Sequence, residues 1–199
     1  PTRRSSDLIS RMQAAMDQMQ TLVEDLLNIT RLEAGLELEM IPVSIGDIFT
    51  NVAYTFDSLA NSVGNRLVQD VSPNLPKYQL NHTFVQQAVA NLVSNALKYA
   101  PESGDVILKA EETADELIIS VADKGEGIPA DIQPRIFEKF FRFSKPGYQR
   151  GKSHGLGLSF VQLVAERHNG RIWFDSTEGE GTTFYLAFPK SKEVQIQVS

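Results

Sequence analysis

Three polar side chains recur at helical spacing inside an otherwise apolar stretch of the chain. Asn91, Asn95 and Lys98 are separated by four and then three residues, so a helix places them on one face. Polar groups in a buried segment need hydrogen-bond partners. The spacing therefore indicates either one wall of a binding site or an exposed polar stripe on an amphipathic helix, and both interpretations fit the spacing equally well.

An acidic residue followed by alternating glycines marks a second candidate site. Asp123 ends an alternating apolar segment and is followed by Gly125, Gly127 and Ile128. Glycines at alternate positions let the backbone approach a flat ligand closely, while the carboxylate accepts a hydrogen bond. The competing interpretation is an ordinary strand-end turn, because Asp and Gly are common turn residues.

A third candidate lies where a long polar loop becomes a helix. The loop is predicted over residues 140–155, and it runs into Gly155, Leu156, Gly157 and Leu158. Backbone N–H groups and the positive end of the helix dipole make such a start a suitable seat for phosphates. Basic residues supply the opposing charge or simply form a solvated loop: Lys139, Arg142, Lys145, Arg150 and Lys152.

The first part of the chain is predicted to form one long helix that needs partners. From Leu8 to Ile29 apolar residues recur at alternating steps of four and three, and a second apolar row widens this face. A four-helix bundle is therefore favoured, with the other helices contributed from outside this sequence or by a second copy. Gly35 fits a C-cap, and Pro42 forbids continuation of the helix.

A second domain is predicted to begin at Ser44, which resembles the start of a capping box. Its helices are predicted at residues 44–60, 84–97 and 156–167. Its strands are predicted at 65–71 and 77–80, as an antiparallel hairpin at 105–111 and 116–123, and as a final pair at 171–176 and 182–188. The predicted organisation is a helix over 1–38, a linker over 39–43, a domain over 44–190 and a tail over 191–199.

The composition excludes several classes of function. The 199 residues carry a formal net charge of -6, which argues against general nucleic-acid or anionic-membrane binding. The lack of cysteine excludes disulfides, thiolate metal ligands and cysteine nucleophiles, and it fits a cytoplasmic location. No apolar run approaches the roughly 20 residues that cross a bilayer, although segments upstream could anchor a longer protein.

Taken in chain order, the motifs resemble those of the histidine kinase catalytic domain, a member of the GHKL ATPase and kinase superfamily. That family has five motifs, the N, G1, F and G2 boxes and a final Gly-Thr. In this chain they correspond, in that order, to the predicted helix that carries Asn91 and Asn95 (the Asn helix), the turn after Asp123, residues 137–142, residues 155–158 and residues 179–182. Residues 44–190 carry the resemblance, and 22–35 are similar to the end of a second stem helix. An α+β fold is implied, a two-layer α/β sandwich of the Bergerat type preceded by a long stem helix.

At the phosphate end, the resemblance implies that ATP and Mg²⁺ bind together. Asn95 corresponds to the Mg²⁺ ligand, Asn91 to a supporting polar contact and Lys98 to a phosphate-contacting lysine. Arg142 corresponds to the arginine that reaches the gamma phosphate, so the implied catalytic residues are Asn95, Lys98 and Arg142. The G2 box implied to bind ATP consists of Gly155, Leu156, Gly157 and Leu158.

At the adenine end, the resemblance implies that Asp123 accepts a hydrogen bond from the exocyclic amine. Thr182 corresponds to a threonine that joins this carboxylate through water, and Tyr99 to an aromatic side chain lining the pocket. The ATP-binding residues of the turn are Asp123, Gly125, Gly127 and Ile128.

The resemblance implies a kinase rather than a hydrolase. ATPase clamps of the gyrase, Hsp90 and MutL kind use a Glu one turn before the Mg²⁺ ligand as general base, and here that residue is Asn91, a poor base. The family transfers the gamma phosphoryl to a stem-helix His for relay to a response regulator receiver domain, and it forms homodimers through the stem. An ATPase clamp and a nucleotide-binding interaction module without kinase activity remain as alternatives.

Two departures from the family pattern qualify this interpretation. The family usually has Gly-Thr directly before the G2 box, where this chain has Ser153 and His154. No histidine sits in an acceptor context, because His82 lies at a helix start, His154 in the loop and His168 at a helix end. We therefore expect this chain to bind ATP without phosphorylating itself.

Overall fold

The structure is a computed structural model that describes residues 3–101, 104–143 and 154–190. The chain divides into two compact units, Pro1–Leu36 and Glu37–Ser199. The predictions for residues 1–2, 102–103, 144–153 and 191–199, including the tail, lie outside the described residues.

The first unit is built on one long helix, α1, which spans Arg3–Glu33. It ends at Gly35, whose backbone has φ 70° and whose N–H donates to the Leu32 carbonyl at 3.2 Å. Several large apolar side chains along the helix are exposed: Leu8, Ile9, Met12, Met16, Met19, Val23, Leu26 and Leu27. Among the described residues, no helix combines the length and apolar character that crossing a bilayer requires.

The second unit contains seven strands and three helices among its described residues. In chain order these are β1 Ile41–Val43, α2 Ile45–Ser62, β2 Arg66–Val71, β3 Tyr78–Leu80, α3 His82–Tyr99, β4 Asp105–Glu112, β5 Glu116–Asp123, α4 Gly157–Arg167, β6 Arg171–Thr177 and β7 Gly181–Pro189. A short 3-10 turn at Gln133–Arg135 follows β5. The main sheet has the order β2-β4-β5-β7-β6 and is mixed, because β2 runs parallel to β4 while the other pairs are antiparallel.

The sheet and the helices form two layers around one core. Along β4 the buried residues alternate with less buried ones, as a strand with one covered face requires. The central strand β5 starts with the same alternation and then buries Ile119, Ser120 and Val121 in succession. Helices α3 and α4 contact each other, and they contact β5 and β6 respectively. Phe49, Leu92, Leu108, Leu117, Phe160 and Leu186 are among the largest fully buried side chains. The predicted two-layer α/β sandwich is confirmed.

Most predicted elements are present with boundaries shifted by one or two residues. Ser44 caps α2, because its hydroxyl accepts the N–H of Asp47 at 3.3 Å. Residues 41–43, which the sequence placed in a linker, instead form β1 and pair antiparallel with β3 in a separate two-stranded sheet. Three residues are too few for the alternation that reveals a strand.

A histidine joins the start of α3 to the end of α4. The buried His168 lies 2.7 Å through Nδ1 from the Val164 carbonyl, and its Nε2 accepts the N–H of Asn81 at 3.0 Å. A carbonyl only accepts and a backbone N–H only donates, so Nδ1 carries the single proton and the ring is neutral. Burial lowers the pKa of His168. Asn81 in turn caps α3, since its side chain accepts the N–H of Phe84.

This arrangement predicts a pH-dependent contribution to stability. Because the folded pKa of His168 is lowered, the unfolded chain binds the proton more tightly, and the free energy of unfolding should fall as pH drops below about 6.5. His168→Gln should be less stable than wild type at pH 7 by about 1–3 kcal/mol. Urea denaturation should show that the difference in the free energy of unfolding between wild type and His168→Gln becomes smaller from pH 7 to pH 5. A difference that stays constant would contradict a neutral buried ring.

Candidate functional site

The carboxyl of Asp123 lies at the end of β5, directly opposite Thr182 of β7. It accepts the N–H of Gly125 at 2.8 Å. Burial raises the pKa of Asp123 to about 6, although the N–H groups of Gly125 and Thr182 act in the opposite direction. A partly desolvated carboxylate is a strong acceptor that gains from a hydrogen-bond donor on a ligand.

The turn after Asp123 depends on two glycines. A Cβ at Gly125 would overlap the carbonyl oxygen of Tyr99, at the end of α3. Gly127 has φ +71°, and a Cβ there would overlap the carbonyl oxygen of Thr177, at the end of β6. Only glycine allows the backbone to pass so close. The turn is thereby packed between the end of α3 and the end of β6, so contacts within the protein itself require both glycines. Their approach to a flat ligand stays a prediction.

The Asn helix α3 brings the first and third candidate motifs together. Asn91, Asn95 and Lys98 are half-buried, on a helix whose other face is fully buried. The amide nitrogen of Asn91 lies 3.5 Å from the Gly157 carbonyl, a long contact that places Gly157 beside this helix. The ammonium of Lys98 lies 4.8 Å from the centre of the Tyr99 ring.

The start of α4 is the segment that the sequence predicts to bind phosphates, and phosphate binding there stays a prediction. The helix begins at Gly157, and its N-cap residue is the buried Leu156, whose side chain makes no capping hydrogen bond. Its first N–H groups lack intrahelical partners, as at every helix start. Ser159 within this turn donates to the Leu156 carbonyl rather than capping the N–H groups, and Leu158 is half-buried.

The two ends of the predicted loop are joined at its base. The N–H of Phe140 donates to the Gly155 carbonyl at 2.8 Å. Both residues have positive φ, 63° for Phe140 and 73° for Gly155, and such a conformation is strained for phenylalanine. Arg142 is exposed beyond this point. The remaining predicted loop cations Lys145, Arg150 and Lys152 lie outside the described residues.

Two residues that sequence reasoning missed support the site. Ser176 accepts the N–H of Ile128 at 2.8 Å and lies 2.8 Å from the Thr182 hydroxyl. The buried Asn65 donates to the carbonyls of Pro101 and Gly104 at 2.7 and 3.0 Å, and so fixes the connection after α3. The sequence does contain a signal for Ser176. In the final hairpin Ser176 and Thr182 are equally distant from Gly179, so pairing of the two strands places them opposite each other.

Residues 81–192 match the family described as histidine kinase-, DNA gyrase B- and HSP90-like ATPases. The chain belongs to this family. It is 33% identical over 187 residues to the alginate biosynthesis sensor protein KinB of Pseudomonas aeruginosa, which covers 94% of this chain and 31% of KinB. It is 31% identical over 173 residues to the adaptive-response sensory kinase SasA of Crocosphaera subtropica, covering 86% of this chain and 45% of SasA.

A solved structure of full-length ShkA in complex with AMPPNP has the same fold. Its TM-score is 0.82 at 28% identity, and the match covers 96% of this chain and 40% of ShkA. The chain thus spans less than half the length of these three relatives. The predicted sensor histidine kinase catalytic domain of the GHKL superfamily is confirmed.

The raised pKa of Asp123 predicts that the ionised carboxyl lowers the stability of this histidine kinase domain when no nucleotide is bound. Because the folded pKa of about 6 exceeds the ordinary value of 3.8, ionisation destabilises the nucleotide-free fold as pH rises through about 6. Asp123→Asn should therefore raise the free energy of unfolding at pH 7.5 by about 1–2 kcal/mol, an advantage that narrows towards pH 4.

Urea denaturation without nucleotide measures this difference. Asp131→Asn is the matched control, since it makes the same change of charge at an exposed position. A stability of Asp123→Asn equal to or below that of wild type at pH 7.5 would contradict a desolvated carboxyl.

Proposed function

We propose that this chain binds ATP with Mg²⁺ and transfers the gamma phosphoryl group to a histidine on a stem helix that is not among these 199 residues. The observation that carries the proposal is the desolvated Asp123 carboxyl beside the Gly125 turn. Adenine presents an amine to such an acceptor, whereas guanine presents a carbonyl at the same position, so the carboxylate favours ATP.

The other end of the site suits the phosphates. The start of α4 lies beside the amide of Asn91, whose nitrogen is 3.5 Å from the Gly157 carbonyl. Backbone N–H groups at a helix start bind anionic oxygens, and Lys98 on the same face of α3 as Asn91 supplies a positive charge. We assign Arg142 to the gamma phosphate, where a planar cation stabilises charge during transfer.

Asn95 fits a Mg²⁺ ion bound together with the nucleotide. Its amide oxygen is a hard donor, one helical turn from Asn91. Within the described residues there is no group of three or more His, Asp or Glu side chains that could hold a metal alone. This agrees with an ion that takes few protein ligands and completes its shell with phosphate oxygens and water. When bound, Mg²⁺ neutralises charge on the phosphates.

The residue at position 91 favours transfer over hydrolysis. A hydrolase of the same fold needs a general base one turn before the metal ligand, and the Asn91 amide does not take up a proton near neutral pH. The relative SasA is a sensory kinase by name and KinB a sensor protein, and the name of SasA supports a kinase.

The stem helix supports a homodimer in the longer protein. The exposed apolar residues of α1, from Leu8 to Leu27, recur at bundle spacing, and a single helix does not bury them. We propose that a second copy and a further stem helix cover them, and that the phosphoryl group passes from the stem to a response regulator receiver domain.

The proposal predicts a pH profile for nucleotide affinity. Since Asp123 accepts best as the carboxylate and its pKa is raised to about 6, wild-type affinity for ATP with Mg²⁺ should fall as pH drops below about 6. Asp123→Ala should weaken binding about 10- to 100-fold at pH 7.5, as expected for a hydrogen bond to a charged group.

Calorimetry measures both effects. The phosphates also titrate in this range, so the decisive quantity is the affinity ratio of wild type to Asp123→Asn, which should shrink below pH 6. Unchanged affinity in Asp123→Ala would refute adenine recognition by this carboxyl.

Phosphoryl transfer is tested by adding a stem fragment that contains an acceptor His. With labelled ATP, acid-labile phosphate should appear on the fragment, and Asn95→Ala or Arg142→Ala should slow the transfer about 100-fold or more. Arg171→Ala is the matched control, because Arg171 pairs with Glu116 at the opposite end of β5 from Asp123.

The outcomes of this experiment separate three functions. Tight ATP binding without transfer would favour a binding-only module. Release of inorganic phosphate without labelling of the fragment would favour an ATPase clamp. Label on His82, His154 or His168 of this chain alone would contradict the expectation that it does not phosphorylate itself.

A further inference from the structure

A continuous run of backbone hydrogen bonds follows the turn after Asp123. In residues 129–141, the connecting segment, four N–H groups each donate to the carbonyl three residues earlier, at distances between 2.9 and 3.2 Å. The donors are, in order, Ile132, Arg135, Glu138 and Phe141, and the first acceptor is the carbonyl of Pro129. Each later acceptor belongs to the previous donor, so the turns form one path that ends one residue before Arg142.

Side-chain contacts stiffen the connecting segment along its length. The Nε of Arg135 lies 3.1 Å from a carboxylate oxygen of Glu138, and the guanidinium lies 4.6 Å from the centre of the Phe141 ring. Between them, the ring centre of Phe137 lies 6.0 Å from that of Phe174 on β6. Because the segment is braced in this way, a change of direction at its start displaces its far end.

The joint between the turn after Asp123 and the connecting segment is the peptide bond of Ile128 and Pro129. Because proline has no N–H, the Ile128 carbonyl is the one hydrogen-bonding group of this peptide. It accepts a hydrogen bond from the side-chain amide of Gln133 at 2.9 Å. The preceding peptide is held from the other side, since the Ile128 N–H donates to Ser176 of β6 at 2.8 Å. Gln133 therefore fixes the direction in which the segment leaves the turn.

We propose that Gln133 is a positioning residue for phosphoryl transfer, which sets the place of Arg142 relative to the turn after Asp123. Its neutral, half-buried side chain lies at the start of the connecting segment and acts on the phosphate end through that segment. The turn keeps its own bonds from Gly125 to Asp123 and from Ile128 to Ser176 when the Gln133 bond is lost. Loss of this bond therefore slows transfer and leaves nucleotide affinity almost unchanged. This inference rests on the proposed transfer of the gamma phosphoryl group.

The test compares Gln133→Met with wild type in the transfer assay with labelled ATP, Mg²⁺ and the stem fragment. Methionine has the length of glutamine and lacks the N–H donor. The single-turnover rate at saturating ATP should fall about tenfold, which corresponds to one hydrogen bond. The Kd for ATP, measured by calorimetry, should change by less than about twofold. Gln133→His should keep at least about half of the wild-type rate, because its Nε2–H donor is the same number of bonds from the backbone as the amide nitrogen.

A double-mutant cycle tests whether Gln133 acts through Arg142. In Arg142→Ala, which already lacks the guanidinium, adding Gln133→Met should slow transfer by no more than about twofold. A loss of about tenfold in both backgrounds would show that Gln133 acts on another group and would overturn the inference. Gln69→Met is the matched control and should behave as wild type, because Gln69 is exposed on β2, at the opposite edge of the sheet from β6.

The outcomes separate this inference from the proposed function. If wild type does not label the stem fragment, the proposed transfer fails and this inference fails with it. If wild type labels the fragment and Gln133→Met does so at the same rate, only the inference on Gln133 is overturned. It is likewise overturned if Gln133→Met weakens ATP binding as strongly as it slows transfer. Should Gln133→Met not fold, Gln133→Glu replaces it, since an ionised carboxylate only accepts hydrogen bonds.

Discussion

The desolvation of one carboxyl, that of Asp123, is the constraint around which the site is arranged. Its charge is unfavourable where it stands, and the two backbone N–H groups near it offset only part of the burial. In the function proposed here, a hydrogen-bond donor on the ligand offsets the rest of this desolvation cost. The fold tolerates the charge because it is confined to the end of a strand whose preceding residues, Leu117 to Val121, are largely buried in a well-packed sheet.

Helix α3 sets the separation between the two ends of the site, and it is held at both of its own ends. At its start, Asn81 caps the helix and is bound by His168 from the end of α4. At its other end, Asn65 holds the following loop and Gly125 packs on the Tyr99 carbonyl. A helix fixed in this way keeps Asn91 and Asn95 at a constant distance from the turn after Asp123.

Local patterns in the sequence predicted most of the elements and most of the candidate site. Helical spacing identified α3, alternation identified the β4–β5 hairpin, and Ser44 identified the start of α2. What could not be predicted depends on residues far apart in the chain. Asn65 binds a carbonyl 36 positions away and Ser176 an N–H 48 positions away, and neither bond leaves a local signal. The order of the strands likewise follows from packing between distant segments and leaves no local signal.

The bond between Phe140 and Gly155 has a consequence for how this protein can diversify. It closes the base of the segment between them independently of what that segment contains, so the sheet and the Asn helix do not depend on its length. Doubling the length of a closed loop costs only about 0.6 kcal/mol. We therefore expect insertions between Phe140 and Gly155 to cost the fold little stability, so that this position tolerates changes of length while β5 and α3 keep their architecture.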